Sequence, residues 1–383
     1  MGKQMQSKKI LLFYPPNFRS VAIETLCKAV KEAGHEIVVL TLSEKGPFHL
    51  AVEKFGIETH TYVLPRKPSW KFFLNNARQL IKICRQHKIE IVWSHLQQAN
   101  IAALFAQPFL KAKVITFRHH AESAFYAELG EKFGMIRNKN EERFDKLTNR
   151  LSKKIIIPSS GVWESMEKYE GCDMKKVKLI PYIYDFTTYQ QPDSDKVKEL
   201  RNNYSCKLML IMVSRMVAAK QHMPVLKVVN KLIDEGLSVK MIVMDDGPLR
   251  PELEAYIRIN KLENHIFLTG FREDFVNYMA AADLLIHPSL TEASNNVVKE
   301  MGLLEKAVAV CKNVGDFNDY IIEARNGYFL ERENISATLE KIIRDAYANP
   351  EKLKFFGKEL KTDVLKYFSD TIENRQRFLE LLN

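Results

Sequence analysis

The sequence predicts an α/β protein of two domains, each a parallel sheet flanked by helices. Three observations carry that prediction. Short apolar runs alternate with helix-patterned segments along the chain, and strand, helix, strand in that order specifies a parallel βαβ unit. The 383 residues are too many for one ordinary domain and suit two of roughly 180–190, each large enough to bury a core. Between two runs of such units, Gln190 to Asp195 is polar and has no apolar pattern, which places the junction there. The expected division is residues 1–189, residues 190–366 and a terminal stretch 367–383.

In chain order, Lys9 to Tyr14 is the first strand and ends in Pro15-Pro16. Val21 to Ala33 is an amphipathic helix closed by Gly34, and His35 to Thr41 is the next strand. Residues 59–89 hold Arg66, Lys67, Lys71, Arg78, Lys82, Arg85 and Lys88 and no acid. From Lys71 to His87, Phe73, Ala77, Leu80, Ile81 and Cys84 keep helical spacing, while Arg78, Lys82 and Arg85 share another face. That face suits either solvent or anionic lipid headgroups, and Trp70, Phe72 and Phe73 at its start favour the lipid.

Ile89 to His95 and Lys113 to Phe117 follow as strands. Past the second, Arg118-His119-His120 clusters polar groups at the C-terminal end of a strand, the ligand-binding edge of an α/β sheet. Phe125 to Lys139 reads as irregular. Glu141 to Ser152 and Val162 to Tyr169 read as helices, Lys154 to Pro158 and Lys176 to Pro181 as strands. The second half repeats the logic, with strands at Lys207–Val213, Val239–Met244, Ile266–Leu268, Leu284–His287, Ala307–Val310 and Tyr328–Leu330. Two like domains joined by a linker make a cleft, and a ligand is expected there. Ala337 to Asn349 and Pro350 to Asn383 are strongly helical.

Composition limits the function classes. No apolar stretch reaches the roughly 18 residues of a membrane span, and Met1 to Lys9 lacks a signal-peptide core, so a cytoplasmic protein is expected. The five cysteines are scattered without metal-ligand spacing and read as reduced core residues. The formal net charge of +10 lies entirely in residues 1–190, which points to an anionic partner for that half.

The most informative stretch runs from Pro288 to Met301. It follows the apolar strand ending at His287, and Ser294 or Asn295 caps a helix that turns Val297, Val298, Met301 and Leu304 inward. Glu292 lies in the turn and Glu300 about 7–8 Å along the helix axis, with the amides of 294–296 between them. Such an arrangement suits a ligand with a diphosphate centre and hydroxyls at both ends: amides and dipole favour the anion, and carboxylates accept hydroxyl hydrogen bonds. By spacing alone, two acids eight apart also fit an exposed turn and an exposed helix face.

The segment resembles the E-x7-E signature of the retaining glycosyltransferases of family 4, which have the GT-B architecture of two Rossmann-like domains facing a cleft, with a C-terminal helix crossing back to the first domain. Further segments resemble that family. Gly34-His35-Glu36 before a strand is one, although Pro15-Pro16-Asn17-Phe18-Arg19 stands where the family has a Gly pair. Ser214-Arg215-Met216-Val217-Ala218-Ala219-Lys220 is similar to its Gly-Arg-Leu-x-x-x-Lys-Gly segment, with Ser214 and Gln221 replacing the glycines. Met244-Asp245-Asp246-Gly247-Pro248 resembles its Gly-Asp-Gly-Pro turn and reads by itself as a plain strand-to-helix turn. Asp316 stands where relatives often have Gly.

The resemblance implies transfer of a sugar from a UDP- or GDP-sugar to a glycan or lipid-linked acceptor, as in cell-envelope polysaccharide, lipopolysaccharide or glycolipid synthesis. It implies Arg215 and Lys220 at the diphosphate in place of a metal, Glu300 at the ribose, and Glu292 with Ser294, Asn295 and Asn296 at the sugar. Gly270-Phe271-Arg272 would lie at the base, and His119, with His120 as a second candidate beside Arg118, at the transferred sugar. No metal, cofactor or nucleic acid is expected; an anionic membrane surface meeting residues 66–88 is. The rivals are a nucleotide-sugar 2-epimerase of the same fold, or a non-catalytic basic adaptor.

Overall fold

The computed structural model describes residues 6–63, 70–120, 122–133, 135 and 137–383; Arg66 and Lys67 lie outside them. Packing divides the chain into two compact units, Met1–Thr187 with Phe368–Asn383, and Thr188–Tyr367.

Among the described residues, the first unit holds a 7-stranded sheet. Its strands are β1 (Lys9–Phe13), β2 (Glu36–Thr41), β3 (Glu58–Thr61), β4 (Ile91–His95), β5 (Lys113–Phe117), β6 (Ile155–Ile157) and β7 (Val177–Leu179). The order is β3-β2-β1-β4-β5-β6-β7 and every pairing is parallel. Because side chains alternate along a strand, β1 feeds two cores. Ile10 and Leu12 join Leu26, Val30 and Ile91 on one face, while Leu11 and Phe13 join Leu80, Ile83 and Val92 on the other. A sheet covered on both faces explains why its strands read as apolar runs rather than alternating ones.

The helix Trp70–Gln86 packs through Phe73, Ala77, Leu80, Ile83 and Cys84, and Lys71, Arg78, Lys82 and Arg85 are exposed on its outer side. Three features were not legible in the sequence. β3 is a polar edge strand, Glu58-Thr-His-Thr61, with no apolar signal to announce it. Pro47–Glu53 is a helix opened by a proline in its first turn. The stretch expected to be irregular from Phe125 begins inside a helix, Glu122–Glu128, that buries Ser123 and Phe125, and holds a 3-10 turn at Glu131–Phe133. These elements are too short for a 3.6-residue period to show.

The C-terminal segment Phe368–Asn383 belongs to the first unit. Thr371 caps the helix Ile372–Leu379 by accepting from the Asn374 amide at 3.2 Å. Phe378, Leu381 and Leu382 enter the same core as Leu26 and Val30, worth roughly 1.5–3 kcal/mol per buried side chain as an upper bound. Ile372, at the first helical position, is 88 % exposed.

The second unit holds a 6-stranded parallel sheet: β8 (Leu208–Val213), β9 (Val239–Met244), β10 (Ile266–Gly270), β11 (Leu284–His287), β12 (Ala307–Cys311) and β13 (Tyr328–Leu330), in the order β10-β9-β8-β11-β12-β13. The order reverses between β8 and β11, so the loops leaving their C-terminal ends are neighbours at the switch point where open α/β sheets bind ligands.

Candidate active site

At that switch point, β11 ends in His287, which is buried, and the chain turns through Pro288–Asn295. Asn295 is the cap: its Oδ1 accepts from the Val298 amide at 3.0 Å and starts the helix Asn296–Leu303. The loop after β8 is knit to this turn by the Leu290 amide, which donates to the Ala219 carbonyl at 2.9 Å. The Lys220 ammonium donates to Ser289 Oγ at 3.0 Å and to the Glu292 carboxylate. His287 Nε2 is 2.8 Å from Glu292 Oε1, and the Asn295 side-chain amide lies 3.2 Å from the same ring nitrogen. Burial pushes the Glu292 carboxyl up, but His287 and Lys220 outweigh it and hold the group well below the usual carboxylate range.

The loop bearing Arg215 is fixed through its backbone. The Met216 amide donates to the Asp246 carbonyl at 2.9 Å, and the Leu249 amide to the Met216 carbonyl at 3.0 Å. Gly247 makes this approach possible, since a Cβ there would stand 2.6 Å from the Met216 carbonyl oxygen. The Arg215 side chain is exposed and has no hydrogen bond or ion pair among the described residues. At the loop's end Gln221 has φ +56°, a left-handed conformation where the resembling segment has Gly. Next to it His222 is buried, and burial pushes its imidazole down to about 4.

Glu300 is half-buried and its carboxylate has no hydrogen-bond partner among the described residues. Burial pushes it up to about 7 against the pull of Lys299. The helix N-terminus is less open than its amides alone suggest. Asp316 is fully buried there and accepts from Ser294 Oγ at 2.6 Å, from the Asn295 amide at 3.4 Å and from Lys299 Nζ at 2.6 Å. Lys299, also fully buried, donates in addition to the Asn295 carbonyl at 2.8 Å. A lysine one position before Glu300 gave no sequence signal of being interior, and His287 showed only as a polar residue closing an apolar strand.

At the end of β10, Phe271 is 78 % exposed. Arg272 is held by Asp274 through bonds of 2.9 and 3.2 Å. Asn296 is exposed in the first turn of the capped helix.

In the first unit, Arg118, His119 and His120 do follow β5, but their side chains diverge. Arg118 is 3 % exposed and donates to Asp145 Oδ2 at 3.1 Å and Glu170 Oε1 at 2.6 Å. It is an internal cation paired with these two carboxylates. His119 Nε2 is 3.0 Å from His95 Nδ1, and its Nδ1 meets the Tyr182 hydroxyl; burial, aided by His120, pushes the imidazole down to about 3. His120 Nε2 is 3.3 Å from Asp145 Oδ2, and its other ring nitrogen has no partner among the described residues. Among the described residues His120 therefore keeps a ring nitrogen without a partner and His119 does not.

Two family descriptions match consecutive parts of the chain: Glycosyltransferase Family 4 over residues 20–187 and Glycosyl transferases group 1 over residues 207–348. The chain belongs to the GT-B glycosyltransferases of family 4. Among relatives of this glycosyltransferase, an uncharacterized glycosyltransferase of Methanocaldococcus jannaschii is 20% identical over 240 residues, 60% of this chain and 58% of that one. The N-acetylgalactosamine-N,N'-diacetylbacillosaminyl-diphospho-undecaprenol 4-alpha-N-acetylgalactosaminyltransferase of Campylobacter jejuni is 24% identical over 301 residues, 75% of this chain and 78% of that one. Anabaena Alr3699/HepE in complex with UDP shares the fold at a TM-score of 0.78 and 19% identity, over 98% of this chain and 99% of that one. The two parallel sheets of this glycosyltransferase are thus the two Rossmann-like domains of GT-B, and no helix among its described residues is long and apolar enough to cross a membrane.

Proposed function

We propose that this glycosyltransferase moves a hexose-type sugar from a UDP-sugar to a lipid-linked or glycan acceptor, with retention of anomeric configuration and without a divalent metal at the donor. The observation that supports this most is the asymmetric charge pattern at the β8–β11 switch point. Among the described residues Arg215 is exposed without a partner and Glu300 has no hydrogen-bond partner of its own, while Lys220 is fixed beside Glu292. An unpaired guanidinium and a positioned ammonium suit a diphosphate, and Glu300 suits the ribose hydroxyls. Phe271 is assigned to the base, and Glu292 with Ser294, Asn295 and Asn296 to the sugar. UDP rather than GDP is favoured by the UDP held by the Anabaena neighbour, and a lipid-linked acceptor by the diphospho-undecaprenol substrate of the Campylobacter relative.

In the reaction the acceptor hydroxyl oxygen bonds to the anomeric carbon and the bond from that carbon to the β-phosphate oxygen breaks. The electron pair departs with UDP, and the acceptor proton passes to the leaving phosphate. Arg215 and Lys220 stabilise the charge that grows on that phosphate. The first unit is assigned the acceptor. Within it, His120 has a ring nitrogen without a partner among the described residues for a substrate hydroxyl, and His119 is a positioning residue held neutral by burial. The outer face of the helix Trp70–Gln86, with Lys71, Arg78, Lys82 and Arg85, is assigned to anionic lipid, which makes the protein peripheral on a cytoplasmic membrane face.

Product analysis tests the reading. With UDP-sugars and an undecaprenol-diphosphate-linked glycan, in buffer free of Mg²⁺ and Mn²⁺, sugar should appear on the acceptor in the donor's anomeric configuration. Lys220→Ala and Glu300→Ala should each lower kcat/KM by at least about 100-fold. An epimerised donor, inverted product, strict Mg²⁺ dependence or near-normal turnover in either variant would overturn it.

A further inference from the structure

A second cluster, well away from the β8–β11 loops in sequence and in a different unit, has the chemistry of a metal site. β3 is the edge of its sheet, bonded on one side to β2. Glu58 and His60 stand two apart on it and therefore share a face. His87 follows the helix Trp70–Gln86, its amide donating to the Ile83 carbonyl at 3.0 Å. The chain then turns sharply at Lys88, where φ is +54°.

These two places converge. Glu58 Oε1 is 3.1 Å from His60 Nε2, and Glu58 Oε2 is 3.7 Å from His87 Nδ1. The two imidazole rings lie 5.1 Å apart at an interplanar angle of 64°, and one ligand atom from each of the three residues falls within 4.8 Å of the others. Around a tetrahedral Zn²⁺ with nitrogen and oxygen ligands at about 2.0–2.1 Å, ligand atoms stand about 3.3 Å apart. One spacing is already met, and small side-chain rotations close the rest. His60 Nε2, the ring nitrogen nearest Glu58, is shielded from solvent without a hydrogen-bond partner among the described residues, while His87 turns its Nδ1 toward the same carboxylate. The carboxylate stands beside His60 Nε2 without bonding to it in hydrogen-bond geometry.

We propose that Glu58, His60 and His87 bind one Zn²⁺ ion with water as a fourth ligand, as a structural clamp. The imidazoles exclude Mg²⁺ and Ca²⁺, which take oxygen donors. The ion ties the polar edge strand β3, which has no apolar row of its own, to the end of the helix that carries Arg78, Lys82 and Arg85. The proposal is independent of the transferase reading.

The test uses the full-length chain without a histidine tag, stripped with a chelator and titrated with ZnCl₂ by calorimetry. One ion per chain is expected, with an unfolding temperature raised by roughly 3 °C or more at saturating Zn²⁺. His60→Asn and His87→Gln should each weaken binding at least about 100-fold, near the upper end of what disturbing even an outer-shell partner does, while circular dichroism without Zn²⁺ matches the unsubstituted chain. X-ray absorption of the Zn²⁺-loaded wild-type protein, which needs no variant, should show two imidazole nitrogens and oxygen ligands. No saturable binding, binding unchanged in the variants, or sulfur ligands would overturn the site.

Discussion

Arg118 and Arg215 occupy matching stations in the two sheets: one directly follows β5, the other lies two residues beyond β8, and both strands are parallel and end at a ligand-binding edge. Their fates differ. Around Arg118 the chain brings Asp145 from the helix Lys139–Leu151 and Glu170 from the end of the helix Ser160–Tyr169. Asp145 also accepts from Gln97 at 2.9 Å and from Arg137; burial raises its carboxyl, but His120, Arg118 and Gln97 outweigh it and hold the group down at about 2. Among the described residues no carboxylate pairs with Arg215, which stays exposed. Arginines at matching places on a sheet's C-terminal edge therefore differ in whether the protein's own anions pair with them.

Four measurements break or sharpen that contrast, in descending size. Arg118→Ala leaves Glu170 a buried charge without its cation, while Asp145 keeps Arg137, and should destabilise the first unit by about 3–5 kcal/mol, read from denaturant unfolding. A stable variant that lost only transfer would reverse the comparison. Arg215→Ala should leave the unfolding temperature within roughly 1 °C and weaken UDP binding about 10- to 100-fold, as expected for a charge-assisted hydrogen bond; unchanged calorimetric affinity would remove Arg215 from the site.

Glu300 supplies the third. Its carboxyl is raised from the ordinary value of 4.5 to about 7 in the folded chain, so between those values the native state holds a proton that the unfolded state has released. The resulting stabilisation is full below pH 4.5 and lost as pH rises through 7. UDP affinity should change the opposite way, strengthening by up to about tenfold from pH 6 to 8 as the carboxylate forms to accept ribose hydroxyls. Glu300→Gln should flatten both slopes, which separates them from the titration of UDP itself. The smallest effect belongs to Gln221→Gly, which relieves a left-handed backbone and should raise stability by about 0.5 kcal/mol net of the entropy of a new glycine. A shift of the denaturation midpoint to lower denaturant would show that the Gln221 side-chain bond to the Ala218 carbonyl, 2.8 Å long, outweighs the strain.

Much of the fold was legible because a buried parallel sheet imprints itself locally. β9, β11 and β13 fall at the residues their apolar runs predict, and β1, β8 and β12 within one residue of them. β3 and the helices Pro47–Glu53 and Glu122–Glu128 left no such trace, being polar or too short to complete a period. In the candidate site, the spacing of Glu292, Glu300, Arg215 and Lys220 was visible from motif order. That Lys220 sits on Glu292, that His287 shares the same carboxylate and that Lys299 is buried against Asp316 was not.

What the amino-acid order alone determined is the succession of strands and helices and the loops in which polar residues fall, since both follow from side-chain periodicity over a few neighbouring residues. Which of those polar groups face a ligand and which neutralise one another was decided only in three dimensions. An ion pair depends on atoms brought together from distant parts of the chain: Arg118 with Glu170, 52 residues away, and Lys220 with Glu292, 72 away. Periodicity does not encode those distances.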